Sequence, residues 1–118
     1  MATLLEAIVR HQPNAAIIDL KGDIDGASED SLQKAYSQAM TEKPHAVLLN
    51  FANVGYINSK GIALIVMLLA QARKSGTRLL TTGLSSHYVE IFNITRLSDF
   101  MKFYPDEQSA LEGASDKR

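Results

Sequence analysis

With 118 residues, 46% of them hydrophobic and 21% charged, the chain has the length and composition of one globular domain, long enough to bury about two thirds of the surface it exposes when unfolded. A formal net charge of −1 with no basic run argues against nucleic acid as a partner, and an aromatic content of 7% without tryptophan offers no stacking platform for bases. The absence of cysteine excludes disulfides, thiolate metal sites and a cysteine nucleophile, and fits a cytoplasmic location.

From the N-terminus, Met1 to Arg10 carries Glu6 inside its apolar run and lacks a basic lead and a small-residue cleavage site, so it does not read as a secretory signal. Leu4 to His11 alternates imperfectly, Gln12-Pro13-Asn14 supplies turn chemistry, and Ala15 to Leu20 is a second β-rich run, which together predict a hairpin with its first strand at a sheet edge. Lys21-Gly22-Asp23-Ile24-Asp25-Gly26 is expected to break the second strand, with a helix cap at Ala27 or Ser28 and acids in the first turn. Leu32, Ala35, Tyr36, Ala39 and Met40 then form one apolar stripe, and Lys43-Pro44 stops that helix.

Ala46 to Phe51 predicts a buried third strand, and the polar stretch from Asn53 leads into a second helix over Lys60–Lys74. The apolar residues of this helix run nearly all the way round, so it is expected to be the most buried helix, with Ile62 to Leu69 as core and its outer edge as an alternative contact for a partner helix. That run is shorter than the roughly 20 residues a membrane span takes, so no direct membrane insertion is expected. Ser75-Gly76 ends the helix, Thr77 to Thr82 is a fourth strand, and Ser85-Ser86 caps a third helix whose Val89, Phe92 and Leu97 point inward. Phe100 to Tyr104 predicts a short last strand and Pro105 to Leu111 a last helix, with residues after Glu112 frayed. The fold class is α/β: a mixed sheet of four to five strands with about four α-helices packed mainly over it, in a single domain spanning residues 1–118 and ordered over about 3–112.

The chemistry-bearing residues do not assemble into a catalytic set. His11, His45 and His87 lack metal-ligand spacing, so no metal and no cofactor is expected. Ser85, Ser86 and His87 lack the Gly-x-Ser-x-Gly elbow of a nucleophilic serine, and the serines read as caps. Gly22 and Gly26 bracket acids, which repel a nucleotide. Asp23 and Asp25 read more readily as solvated or capping loop acids than as an acid–base pair. The chain is not expected to be an enzyme. Ser59, between Asn58 and Lys60-Gly61, stands where a helix begins; on the residues alone it is an N-cap.

Four ordered patterns resemble the STAS domains, and in particular the bacterial anti-sigma factor antagonists, over nearly the whole chain. Gly22-Asp23-Ile24-Asp25 is similar to the family's Gly-Glu-Leu-Asp loop, and Val47 to Phe51 with Val54 and Ile57-Asn58-Ser59-Lys60-Gly61-Ile62 is similar to its strand and Asp-Ser-Ser-Gly turn. Gly83-Leu84-Ser85 with Val89, and Phe92 through Ile94-Thr95-Arg96-Leu97 to Phe100, resemble the third-helix signature. The resemblance implies a regulatory binding protein of the STAS fold, switched by phosphorylation of Ser59. Its partner would be an anti-sigma factor that is also a serine kinase, with a phosphatase to reverse the mark. It implies a contact surface of Asp23, Asp25, Asn58, Ser59, Lys60, Gly61, Thr82 and Ser85, and a monomer or weak homodimer. Asn58 stands where the family has Asp, Lys60 where it has a second serine, and Arg96 where glycine is common. The first two changes motivate the alternative of a non-phosphorylated STAS scaffold, or an accessory subunit of a signalling assembly or transporter.

Overall fold

The computed structural model describes residues 3–114. β1 (Glu6–Gln12) and β2 (Ala15–Ile24) form the expected hairpin, closed by Pro13 and Asn14, and Asn14 takes a left-handed φ of 66° that its short polar side chain tolerates. α1 (Glu29–Ala39) follows a 3-10 turn at Gly26–Ser28, and β3 (Ala46–Ile57) leads into α2 (Ser59–Lys74). β4 (Arg78–Thr82), α3 (Ser86–Ile94), β5 (Lys102–Tyr104) and α4 (Glu107–Ala114) complete the order. The sheet runs β1-β2-β3-β4-β5, with β1 antiparallel to β2 and the other neighbours parallel. This is the mixed α/β sheet with four helices that the sequence predicts.

The runs Ala15–Ile18 of β2 and Ala46–Leu49 of β3 are continuous and apolar because both faces of the sheet are covered there. One face packs Ala16, Ile18, Leu20, Val47, Leu49, Phe51 and Leu79 under α1, α2 and α3, through Leu32, Tyr36, Ile65, Leu68, Tyr88 and Phe92. The other face, Ile17, Ala46, Leu48 and Leu80, is closed by α4 through Ala110, with Tyr104 and Leu111 beside it. Arg10 of β1 anchors α4 from the far end of the sequence. Its guanidinium donates to Asp19 of β2 (Nε to Oδ2, 2.6 Å) and to Glu107 of α4 (Nη2 to Oε1, 2.6 Å), and Asn50 of β3 donates to the same Asp19 at 2.9 Å. The Arg10 hydrogen bond holds the Asp19 carboxyl below its ordinary range, against the opposing effect of burial.

Three boundaries differ from the sequence reading. β2 does not break at Lys21 but continues to Ile24, and β3 continues past Phe51 to Ile57; the two extensions pair with each other, Gly22 with Val54, Asp23 with Tyr56 and Ile24 with Ile57. The pairing is irregular in register. Gly22, at φ 111°, allows it, because a Cβ there would lie 2.6 Å from Leu4 O. Backbone pairing without a buried side-chain face leaves no apolar alternation to read, which is why residues 52–56 look like loop. At the other end α4 runs to Ala114 instead of fraying after Glu112; Arg78 donates to the Gly113 carbonyl at 2.9 Å, and the tail from 115 to 118 lies outside the described residues.

Two burial expectations also change. In α3 the inward position falls to Tyr88, with Val89 half-buried, because Tyr88 fits its ring under the sheet and sends its hydroxyl to the end of β3. α2 is not apolar-buried all round: Val66 and Met67 are 40% and 46% exposed, and Ala63 and Ala70 join them on the outer face.

Candidate functional site

The paired extensions of β2 and β3 project one end of the sheet into a platform from which α2 starts. Asn58 is the N-cap of α2: its backbone is extended and its Oδ1 accepts from Gly61 N at 2.9 Å, while its carbonyl accepts from Ile62 N at 2.9 Å. Two further bonds fix where the cap sits. Asn58 N–H donates to the Ile24 carbonyl at 3.1 Å, and Ile57 N–H donates to Tyr88 Oη at 2.8 Å, so β2 and α3 hold the turn from both sides.

Gly61 is dictated by this arrangement. The first turn of α2 lies so close to β2 that a Cβ at residue 61 would come within 2.2 Å of Ile24 O. Ser59 is therefore the first residue of the helix proper. It is exposed, and its hydroxyl makes no hydrogen bond among the described residues, since Asn58 does the capping. Of the two readings open at Ser59, the structure removes the N-cap. Lys60 is also exposed, with its stem over Gly26, where a Cβ would lie 3.1 Å from Lys60 Cδ.

Ser59 heads the outer face of α2. Ala63, Val66, Met67 and Ala70 follow it at helical spacing, an apolar stripe exposed among the described residues. Tyr56, 56% exposed, stands beside its start, and a groove of about 260 Å³ between Gly26, Glu29, Lys60, Ala63 and Leu64 borders it on the α1 side. Tyr56 is an addition to the predicted surface, while exposed Val66 and Met67 fall on the outer edge of the Ile62–Leu69 run that the sequence offered as the alternative to core.

The other predicted contacts divide. Asp23 and Asp25, both half-buried, sit on the platform with Ser59, but each carboxylate also has a structural task. Asp23 Oδ2 accepts from Thr3 N at 3.0 Å, and Asp25 Oδ1 accepts from Ala27 N at 2.9 Å, with Ser28 Oγ in return accepting from Asp25 N at 3.0 Å. Asp25 thus caps the 3-10 turn, while Ser28 takes the N-cap position of α1 as the sequence predicts, with its hydroxyl turned back to Asp25 N instead of capping the helix.

Thr82 does not belong to the surface: it is only 5% exposed, its hydroxyl donates to the Tyr104 carbonyl at 3.0 Å, and its β3 partner is Asn50, well before the platform. Ser85 is exposed and caps α3, accepting from Tyr88 N at 3.4 Å, which ties it to the platform only through Tyr88. Arg96 holds a left-handed φ of 68° at the end of α3, the conformation that glycine supplies most easily.

Among the described residues no group of three or more His, Asp or Glu side chains is placed to hold a metal ion, and no helix is long and apolar enough to cross a membrane. What the site offers is a presented hydroxyl at a helix start, bordered by a cation, two acids and an apolar stripe.

Comparison with known proteins gives this arrangement its relatives. The sequence model of the STAS domain matches residues 6–110. The anti-sigma-B factor antagonist of Staphylococcus epidermidis is 30% identical over 84 residues, covering 71% of this chain and 78% of the relative. In structure, an anti-sigma factor antagonist from Mycobacterium paratuberculosis superimposes with a TM-score of 0.76 at 18% identity, covering 95% of each chain. The antagonist SpoIIAA in its unphosphorylated form superimposes at 0.73 and 14% identity, covering 94% of this chain and 99% of SpoIIAA. The phosphorylated form of the Bacillus protein does so at 0.70 and 16%, covering 91% and 97%.

Proposed function

The chain belongs to the STAS domain family, and from that premise we propose that it is an anti-sigma factor antagonist whose binding surface is the start and outer face of α2, switched by a phosphate on Ser59. The observation that carries the reading is the division of labour at the helix start: Asn58 caps and Ser59 is left exposed with a free hydroxyl. The names of the relatives support an anti-sigma factor as the partner, and the existence of a phosphorylated form of SpoIIAA supports a covalent switch.

Unmodified, the apolar stripe of Ala63, Val66, Met67 and Ala70 with Tyr56 offers contact area, and Asp23, Asp25 and Lys60 set charge complementarity at its head. The partner, acting as a serine kinase, transfers the γ-phosphoryl group of ATP to Ser59 Oγ: the Oγ–P bond forms, the bond to the β-phosphate oxygen breaks, and the hydroxyl proton passes to a base of the kinase. The product carries roughly −1.5 to −2 charges at the first turn of a helix, where the dipole and nearby Lys60 favour an anion. The fold accommodates the phosphate. The interface does not, because a doubly charged group must be desolvated at the head of an apolar contact. A phosphatase then resets the surface.

The test is phosphoryl transfer in vitro. Incubated with ATP and its cognate anti-sigma factor kinase, the protein is expected to gain one phosphate, mapped to Ser59 by mass spectrometry, and Ser59→Ala is expected to gain none. Incorporation at another residue, or full incorporation into Ser59→Ala, refutes the assignment.

A further inference from the structure

The geometry points to a second site, at the opposite end of α2: a cleft at the start of β4 that binds a small amphipathic anion, a flat apolar body carrying one carboxylate or phosphate. The cleft exists because β5 begins late. Arg78 and Leu79 pair with Ala46 and Val47 of β3, but β5 joins β4 only from Leu80 onward, opposite Lys102. The space where β5 would have continued is a cavity of about 380 Å³, closed by the end of α2 and by the turn that leads into β5. That volume lies within the range of small-molecule sites, roughly 300–1,000 Å³.

Its lining is apolar inside and cationic at the rim. Leu69, Leu79 and Met101, each at most 5% exposed, bring the edge of the core to its inner wall. Phe100 stands at the mouth, 53% exposed, with the Arg73 guanidinium carbon 4.6 Å from its ring centroid. Among the described residues Arg73 meets no carboxylate, and Lys102 beside it is exposed. Asp99, the acid in the lining, is already engaged by Arg96 Nε at 2.8 Å. Arg78 also lines the cleft but donates to the Gly113 carbonyl, so it is left out of the ligand set.

A guanidinium positioned over an aromatic ring by a cation–π contact retains N–H donors for contact with a carboxylate or phosphate. Phe100 and the leucine wall suit a flat apolar body, and Lys102 adds a point charge. This site stands about 21 Å from Ser59 along α2, at 1.5 Å per residue, and does not depend on the proposed switch.

The experiment is a titration of the whole chain followed by amide NMR, with naphthoate, naphthyl phosphate and uncharged naphthol as probes. Both anions are expected to saturate and to shift Arg73, Leu79 and the segment from Phe100 to Lys102, with naphthol binding at least about tenfold more weakly. The tighter of the two anions identifies the head group. Arg73→Gln, which keeps helix propensity, is expected to weaken both anions about tenfold and leave naphthol unchanged. Lys74→Gln, a neighbouring exposed cation outside the cleft, is expected to change neither; Lys102→Gln serves as the second cleft variant should the first unsettle the helix end. Absence of saturation, shifts scattered away from the cleft, or equal losses in Arg73→Gln and Lys74→Gln overturn the proposal.

Discussion

The assignment of the α2 cap to Asn58, and not to Ser59, can be tested by two single substitutions. Asn58→Ala removes the Oδ1 acceptor of Gly61 N and leaves that N–H unsatisfied at a helix start whose neighbours, Ile24 and Ile57, are nearly fully buried. Loss of an Asn cap costs about 1 kcal/mol, within a range of roughly 0.5–2. For a chain of this length the entropy of unfolding at the midpoint is about 0.25 kcal/mol per kelvin, so Asn58→Ala should lower Tm by about 4 °C. Ser59→Ala removes an exposed hydroxyl with no hydrogen bond among the described residues and should change stability by less than about 0.5 kcal/mol, roughly 2 °C. Differential scanning calorimetry of the two variants in one buffer decides. A Ser59→Ala loss equal to or larger than that of Asn58→Ala would refute the division of labour, and with it the argument that Ser59 is spared for modification.

Gly61→Ala should destabilise by at least about 2 kcal/mol in urea unfolding, since its Cβ meets backbone at 2.2 Å and neither element can move without breaking the Asn58–Ile24 bond; a loss below 1 kcal/mol would contradict that packing. Ser59→Asp should weaken binding to the cognate anti-sigma factor at least about tenfold by calorimetry while leaving Tm within about 2 °C, and unchanged affinity would count against the switch. The Asp19 carboxyl titrates below its ordinary range in the folded state, so its contribution is fully present above about pH 4 and is lost as pH falls through the folded-state value. Asp19→Asn should therefore be less stable than the parent at pH 7, and the difference should shrink on acidification below pH 4; a pH-independent gap would show that the ion pair is not its source. Tyr36 buries its hydroxyl without a hydrogen-bond partner among the described residues, and burial alone pushes its pKa up, so Tyr36→Phe should leave stability unchanged or raise it by up to about 1 kcal/mol; a loss of more than 1 kcal/mol in the same melts would reveal a partner.

Much of this molecule was legible in its sequence because the core uses the periods that reading relies on. The α1 stripe of Leu32, Ala35, Tyr36 and Ala39 is buried as its spacing predicts, and Ala46 to Phe51 is a strand covered on both faces. Legibility failed where structure rests on backbone pairing, as in the extensions of β2 and β3, where residues 52–56 show no apolar alternation. It failed again on the outer face of α2, since Val66 and Met67 have the chemistry of core residues at exposed positions. The sequence placed Ser59 at the helix start but could not say whether it caps, because adjacent Asn58 and Ser59 admit either as cap and only geometry chooses. The Arg10–Asp19–Glu107 cluster joins residues 97 positions apart and had no local signal. Thr82 was misplaced because proximity in a motif does not fix register, and β4 meets β3 at Asn50 instead of at the platform.

The two bonds that hold the turn before α2, from Asn58 to Ile24 and from Ile57 to Tyr88, bear on the thermodynamics of recognition. A partner docking there as proposed would find the backbone already ordered and would pay only for the side chains it immobilises. The heat-capacity change of association should then match the apolar area buried on α2, without the larger increment that accompanies coupled folding. Under the proposed switch, recognition at this end of the molecule is expected to be a rigid-body event, with selectivity between phosphorylated and unphosphorylated chains set by the charge the surface carries.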